Sequence, residues 1–197
     1  GKNYGKVIVN GDTTGIAYIA GICGYVGNAA FDGCQNLVSP EITDSGTITL
    51  GATANCASKP YIGGIIAYSN STAGTCKVIN CQNDGTLSLY GTAVSNSYIG
   101  GIAGLTLRPS GITACRNNGH IILDGVNTKD CYIGGIIGYS QNGSTISDVH
   151  NRGDITVVKH TAKVNSGGIG AISGANEITN SSSICNIKSP SPDFNTG

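Results

Sequence analysis

The chain has 197 residues, 11 Lys and Arg balance 11 Asp and Glu, and only 11% of residues are charged. A chain this neutral lacks the basic face that nucleic-acid binding or a polybasic lipid patch needs, and no apolar run nears the ~18 residues of a membrane-spanning helix. Its 25 Ile, 11 Val, 31 Gly and 19 Asn against 7 Leu and no Met suit short strands and turns, which excludes a helical bundle.

In chain order, Asn3-Tyr4-Gly5 and a strand over Lys6–Val9 are expected to be the tail of a repeat whose head lies upstream. The first full unit opens with Tyr18-Ile-Ala-Gly-Ile22. The phrase recurs as Tyr61-Ile-Gly-Gly-Ile65, Tyr98-Ile-Gly-Gly-Ile102 and Tyr132-Ile-Gly-Gly-Ile136, and in degenerate form as Asn165-Ser-Gly-Gly-Ile169. A second phrase follows each time. Cys81-Gln-Asn83-Asp-Gly85 matches Cys115-Arg-Asn117-Asn-Gly119 and Val149-His-Asn151-Arg-Gly153, with weaker copies at Cys34-Gln-Asn36 and Ile184-Cys-Asn186. Two phrases in fixed order define a unit of roughly 34 residues, repeated about five times. The first unit is lengthened by a loop over Leu37–Asp44, which contains Pro40.

Each unit holds three extended pieces separated by Gly, Ser and Asn. Such a unit cannot bury its apolar side alone, and stacking on its neighbours makes a continuous core. The expected fold is all-β: a parallel β-solenoid of about five coils with little or no α-helix. Residues 1–188 form one domain, and 189–197, with Ser189-Pro-Ser-Pro192, form a linker-like tail.

Stacked coils place equivalent residues in columns about 4.8 Å apart. Asn36, Asn83, Asn117, Asn151 and Asn186 form one column, in which identical amides can bond along the stack. Cys34, Cys81 and Cys115 form another, continued by Val149 and Ile184, a site for a small apolar group. The total of 8 cysteines leaves two states open, buried thiols or at least one disulfide. Tyr18, Tyr61, Tyr98 and Tyr132 form a third column and are the candidate ligand-contact residues. Tyr25, Tyr68 and Tyr139, with Leu105 in the third place, form a fourth. Members of a pair are seven residues apart, so in one regular strand they would face opposite sides. Two outcomes stand: rings buried in stacking, or an aromatic strip exposed for sugar or protein contact.

The succession Gly-Gly-Ile-x-Gly, a polar turn, an apolar residue, Cys-x-Asn and x-Gly-x-Ile resembles the GLUG-type repeats over roughly residues 16–187. Those repeats occur in large bacterial surface and secreted proteins, among them adhesins and some extracellular proteases. The resemblance implies an extracellular or cell-surface location and an adhesive or spacer role, with a glycan or host surface protein as partner. It brings no catalytic residues. The fifth copy departs from the pattern, losing the aromatic and Cys positions.

The residues add no chemistry of their own. There is no His-Glu-x-x-His, Gly-x-Ser-x-Gly or Walker loop. His120 and His150 occupy different repeat phases, and the acids are scattered over turns. Asp84 beside Gly85 is a calcium candidate only in isolation, because the calcium-binding Gly-Gly-x-Gly-x-Asp repeat is missing. No catalytic, cofactor-binding or metal-binding residue, no nucleic-acid partner and no membrane insertion are therefore expected. The leading expectation is a non-catalytic repeat domain acting as adhesive surface or spacer. The alternative is a carbohydrate-binding module of a larger extracellular enzyme, and a small glycan-cleaving β-helix ranks third.

Overall fold

A computed structural model describes residues 1–71, 76–107, 110–141, 143–159, 162–171 and 176–189, and the backbone of 194–196. Every sheet pairing in it is parallel, and the strands stack as a β-solenoid of about five turns with no helix among the described residues.

A coil contains six strands rather than three. In the third coil they are Ser97–Gly100, Ala103–Thr106, Ser110–Thr113, Arg116–Asn117, Ile121–Asp124 and Val126–Asn127, after which Cys131–Gly134 opens the next coil. Each strand pairs with its counterparts one coil above and below, giving six parallel sheets. The two-phrase spacing sets the register: Tyr98 lies between Tyr61 and Tyr132, and Asn117 between Asn83 and Asn151. Strands from Lys2 to Lys188 belong to the stack. Phe194–Thr196, inside the stretch expected as a tail, pairs with Val164–Gly167. Residues 190–193 lie outside the described residues.

The interior falls into two apolar clusters. In one, Ile62, Ile99 and Ile133 of the first strands meet Leu87, Leu89, Ile121 and Leu123 of the fifth. In the other, Ile65, Ile102 and Ile136 meet Val78, Ile112 and Ile146, with Cys34, Cys81, Cys115 and Val149 closing the column. Each fully buried Ile or Leu stabilises the stack by about 1.5–3 kcal/mol, and these side chains come from short strands that cannot bury them within one coil.

The two clusters are kept apart by a polar waist. The Nδ2 of Asn3 donates to Asn36 Oδ1, Asn36 to Asn83, and Asn83 to Asn117, each at 2.7 Å, and Asn117 donates to Asn151 at 2.8 Å. The other Nδ2 hydrogen goes to a turn carbonyl of the same coil: Gly46, Gly85, Gly119 or Gly153, at 2.7–3.1 Å. Both donors of each amide are thus used in the interior, as burial requires. The two repeat phrases meet here. A methyl group on Gly101, the second glycine of its phrase, would run into the Gly135 carbonyl and the Asn117 side chain. One on Gly119, in the other phrase, would run into the Gly85 carbonyl and the Asn83 amide. The phrases recur together because each supplies half of one close contact.

Asn186 is not in this column. Asn151 pairs in register with Ser183, and its Nδ2 donates to Ser183 Oγ at 3.3 Å. Asn186 lies three residues further on, where its backbone and side-chain nitrogens donate to Asp154 Oδ1. Ile184 likewise leaves the cysteine column, whose fifth place falls to Ser181, and is exposed. Backbone geometry explains the shift. The residue before each column cysteine or valine is left-handed: Gly33, Asn80, Ala114 and Asp148, with φ of 52–59°. Asn180 takes that role in the last coil at 47°, and Asn suits it better than the Ser183 that the other alignment would place there.

Candidate functional site

The Gly-Gly corner turns the chain into the waist, so the first two strands of each coil diverge from it towards the surface. In the first strand Ile62 points to the core and Tyr61, by alternation, to the outside. Tyr61 and Tyr68 therefore meet across the corner, centroids 4.9 Å apart. The expectation of opposite faces fails because the corner breaks one strand into two.

The result is an outward-opening cleft with an aromatic floor. Tyr18, Tyr61, Tyr98 and Tyr132 stack with centroids 5.1–5.4 Å apart and planes within 10° of each other. The second column leans into this stack. Tyr68 touches Tyr18 and Tyr61, and Tyr139 touches Tyr98 and Tyr132. The central rings are nearly covered, with Tyr61 at 5% and Tyr98 at 8% exposure, while Tyr25 at one end is 52% exposed. Tyr18, Tyr132 and Tyr139 are half-buried. The four candidate contact residues are thus brought together, with Tyr61 and Tyr98 the deepest. Burial raises the phenol pKa of all four above the ordinary value of 10.0, most strongly at Tyr61, where neighbouring phenols add to it.

The cleft opens to about 620 Å3 around the middle coils. Its rims carry Ile16, Lys59 and Asn96 two residues before the tyrosines of the first column, and Leu107 and Gln141 two after the second. Asn96 Nδ2 lies 3.5 Å from the Tyr98 hydroxyl. Sequence reasoning missed these positions because their residue types change from coil to coil and leave no repeat signal.

All eight cysteines are free thiols. Cys81 and Cys115 stack in the interior, each Sγ 3.2 Å from the carbonyl two residues before it, Ile79 and Thr113. The bond to Cys81 and burial push the Cys115 thiol up, and burial does the same at Cys131. A second, polar hollow of about 380 Å3 lies outside the fourth sheet, with Asn80, Gln82, Arg116, Asp148 and His150 at its walls. There His150 Nε2 is 3.4 Å from Asp148 Oδ1 and Nδ1 is 2.8 Å from Ser182 Oγ. The Asp84 carboxylate accepts from Gln82 and Asn118. Among the described residues no three His, Cys, Asp or Glu gather to hold a metal ion, and no helix is long and apolar enough to cross a membrane.

Six parallel sheets wound from a two-phrase unit define the class: a tandem-repeat β-solenoid. Residues 130–156 match the family model for the GLUG motif, a stretch that carries Gly135 and Asn151 of the waist and both Tyr132 and Tyr139. That stretch is one unit of the repeat, so the GLUG motif supports reading the chain as a GLUG-type repeat protein. No curated protein and no solved structure matches it.

Proposed function

We propose that the chain is a non-catalytic repeat domain of a bacterial surface or secreted protein, working through surface contact with a glycan or host protein, or as a spacer. The observation that carries this reading is the tyrosine cleft. It is built by the recurring framework, runs across coils and has rims whose chemistry varies from coil to coil. The asparagines and glycines that recur are engaged between coils. Coils in series repeat the cleft, so weak contacts add by multivalency. The alternative, a carbohydrate-binding module of a larger extracellular enzyme, draws on the same cleft, whose half-buried rings Tyr18, Tyr132 and Tyr139 combine apolar edges with polar hydroxyls.

Glycan and host-protein arrays probed with the purified domain, together with an assay of reducing-end release from polysaccharides, test the reading. Binding without turnover is expected. Release of reducing ends overturns the non-catalytic reading, and absence of binding on every array leaves only the spacer role.

A further inference from the structure

The polar hollow outside the fourth sheet is built on a column of its own. Gln35, Gln82, Arg116, His150 and Ser182 stand on successive coils in register. Arg116 is in the middle and exposed, and a space of about 380 Å3 opens beside it, with Asn80, Gln82, Asp148 and His150 in its walls. No residue of this hollow lines the tyrosine cleft.

The acids at and behind its walls are already engaged. Asp148 Oδ1 lies 3.4 Å from His150 Nε2. Asn80 Nδ2 donates to Asp32 Oδ1 at 3.0 Å, and Gln82 Nε2 donates to both Asp84 oxygens at 2.8 and 2.9 Å. Those carboxylates fix which way the two amides are turned, because only the nitrogen end of an amide can donate. The amide oxygens of Asn80 and Gln82, and Oδ2 of Asp148, remain as acceptors. Arg116 differs from all of them: its side chain makes no ion pair or hydrogen bond among the described residues. The hollow thus offers one forked cation and a set of acceptors around it. We propose that it is a binding site for one sugar acid, a hexuronate ring whose carboxylate meets Arg116 and whose hydroxyls donate to Asn80, Gln82 and Asp148.

The donor and acceptor inventory selects that class. A guanidinium takes a carboxylate through two parallel bonds. A bare carboxylate or phosphate would satisfy it but bring no donor to the three acceptors, and a neutral sugar would serve the acceptors but leave the cation without an anion. A hexuronate carries the acid group and several hydroxyls on one small ring. Gln82, Arg116 and His150 are one rung apart, about 4.8 Å, so a ring over Arg116 reaches the rung on either side. Asp148 repels a carboxylate and accepts a hydroxyl, which turns the acid group of the ring towards Arg116. His150, held between Asp148 and Ser182 Oγ, fixes the wall that carries this acid.

The inference goes beyond the cleft reading and is tested apart from it. Galacturonate, glucuronate, galactose, glucose and acetate are titrated separately into the isotope-labelled domain, and the NMR signals of the Arg116 guanidinium and the His150 backbone are followed. At least one uronate is expected to move both signals in the millimolar range, with its neutral counterpart and acetate each about ten-fold weaker. Arg116→Gln should remove that preference, bringing the uronate down to the level of the neutral sugar. The fold tolerates this change, since Gln35 and Gln82 hold the same place in the two coils before. Asn80→Gly, which keeps the left-handed backbone that Gly33 shows one coil earlier, should weaken acid and neutral sugar alike, by about three-fold or more. Signals that stay still with both uronates overturn the site. So does unchanged uronate binding in Arg116→Gln, or binding of acetate or of a neutral sugar as strong as that of the uronates. Each of these failures leaves the tyrosine cleft and its array test standing, and absence of binding at the cleft leaves the hollow standing.

Discussion

The waist and the cleft are both columns of repeated side chains one rung apart, yet they tolerate change differently. In the waist five successive places, Asn3, Asn36, Asn83, Asn117 and Asn151, are all Asn, and the substitution that appears, Ser183, stands at the end of the ladder. In the cleft a leucine sits in the middle of a tyrosine column without breaking the register. The difference lies in the forces. Each buried amide completes bonds for the coil before it and the coil after it, so one loss strands several groups in a dry interior. Ring contacts are individually weak, each worth about 0.5–1.5 kcal/mol, and losing one leaves no polar group unpaired, so another apolar group can replace a ring.

The largest effect that would break this comparison belongs to Asn117→Leu. It leaves Asn83 Nδ2, Asn151 and the Gly119 carbonyl short of partners inside the protein. The expected cost is about 3 kcal/mol, from several stranded groups at roughly 1–3 kcal/mol each. Asn186→Leu, at the exposed Asp154 contact, should cost under about 0.5 kcal/mol. Equal melting shifts for the two would remove the ladder from its structural role.

Alkaline pH separates the two regions, because amides do not titrate in this range and buried phenols do. The folded pKa values of Tyr61, Tyr98 and Cys131 lie above their ordinary values of 10.0, 10.0 and 9.0, chiefly through burial. Above those ordinary values the unfolded chain gives up protons that the folded chain keeps. What these three groups contribute to stability is therefore complete below about pH 9 and falls as pH rises beyond it. Melting temperatures from pH 8 to 11 should show this fall, with the same slope in Asn117→Leu as in the unaltered domain and a shallower one in Tyr98→Leu. A melting temperature that stays level across that range would contradict the burial of these groups.

A smaller effect than that of Asn117→Leu is the stability change in Tyr98→Leu itself. It repeats in the first column what Leu105 does in the second, and should cost about 1–2 kcal/mol in lost ring contacts. A loss as large as that of Asn117→Leu would show that the cleft, too, depends on each member.

The sequence carried the stack, its parallel pairing and most of the asparagine column, because strict recurrence of whole phrases reports register directly. It misled at Ile184-Cys185-Asn186, where a residue match imitated the second phrase. The backbone instead followed the left-handed place at Asn180, a feature spread over Gly, Asn, Ala and Asp and so hidden from a search for identical letters. The seven-residue spacing of the tyrosines was legible, but its meaning depended on the Gly-Gly corner, a tertiary contact with the ladder. The rim residues Lys59, Asn96 and Gln141 were invisible for the opposite reason, since what varies leaves no pattern.

The direction of the hydrogen bonds has a mechanical consequence. The backbone bonds between coils, such as Asn118 N to Asn83 O at 2.8 Å and Ile121 N to Asp154 O at 2.9 Å, all run along the stack. A pull along that axis loads the bonds of one coil boundary at a time, as in peeling, instead of shearing every sheet at once. Each boundary that yields releases one unit of about 34 residues, or about 110–120 Å of extended chain. Under tension the domain would lengthen in steps, coil by coil, and absorb work at each step while the remaining coils stay wound.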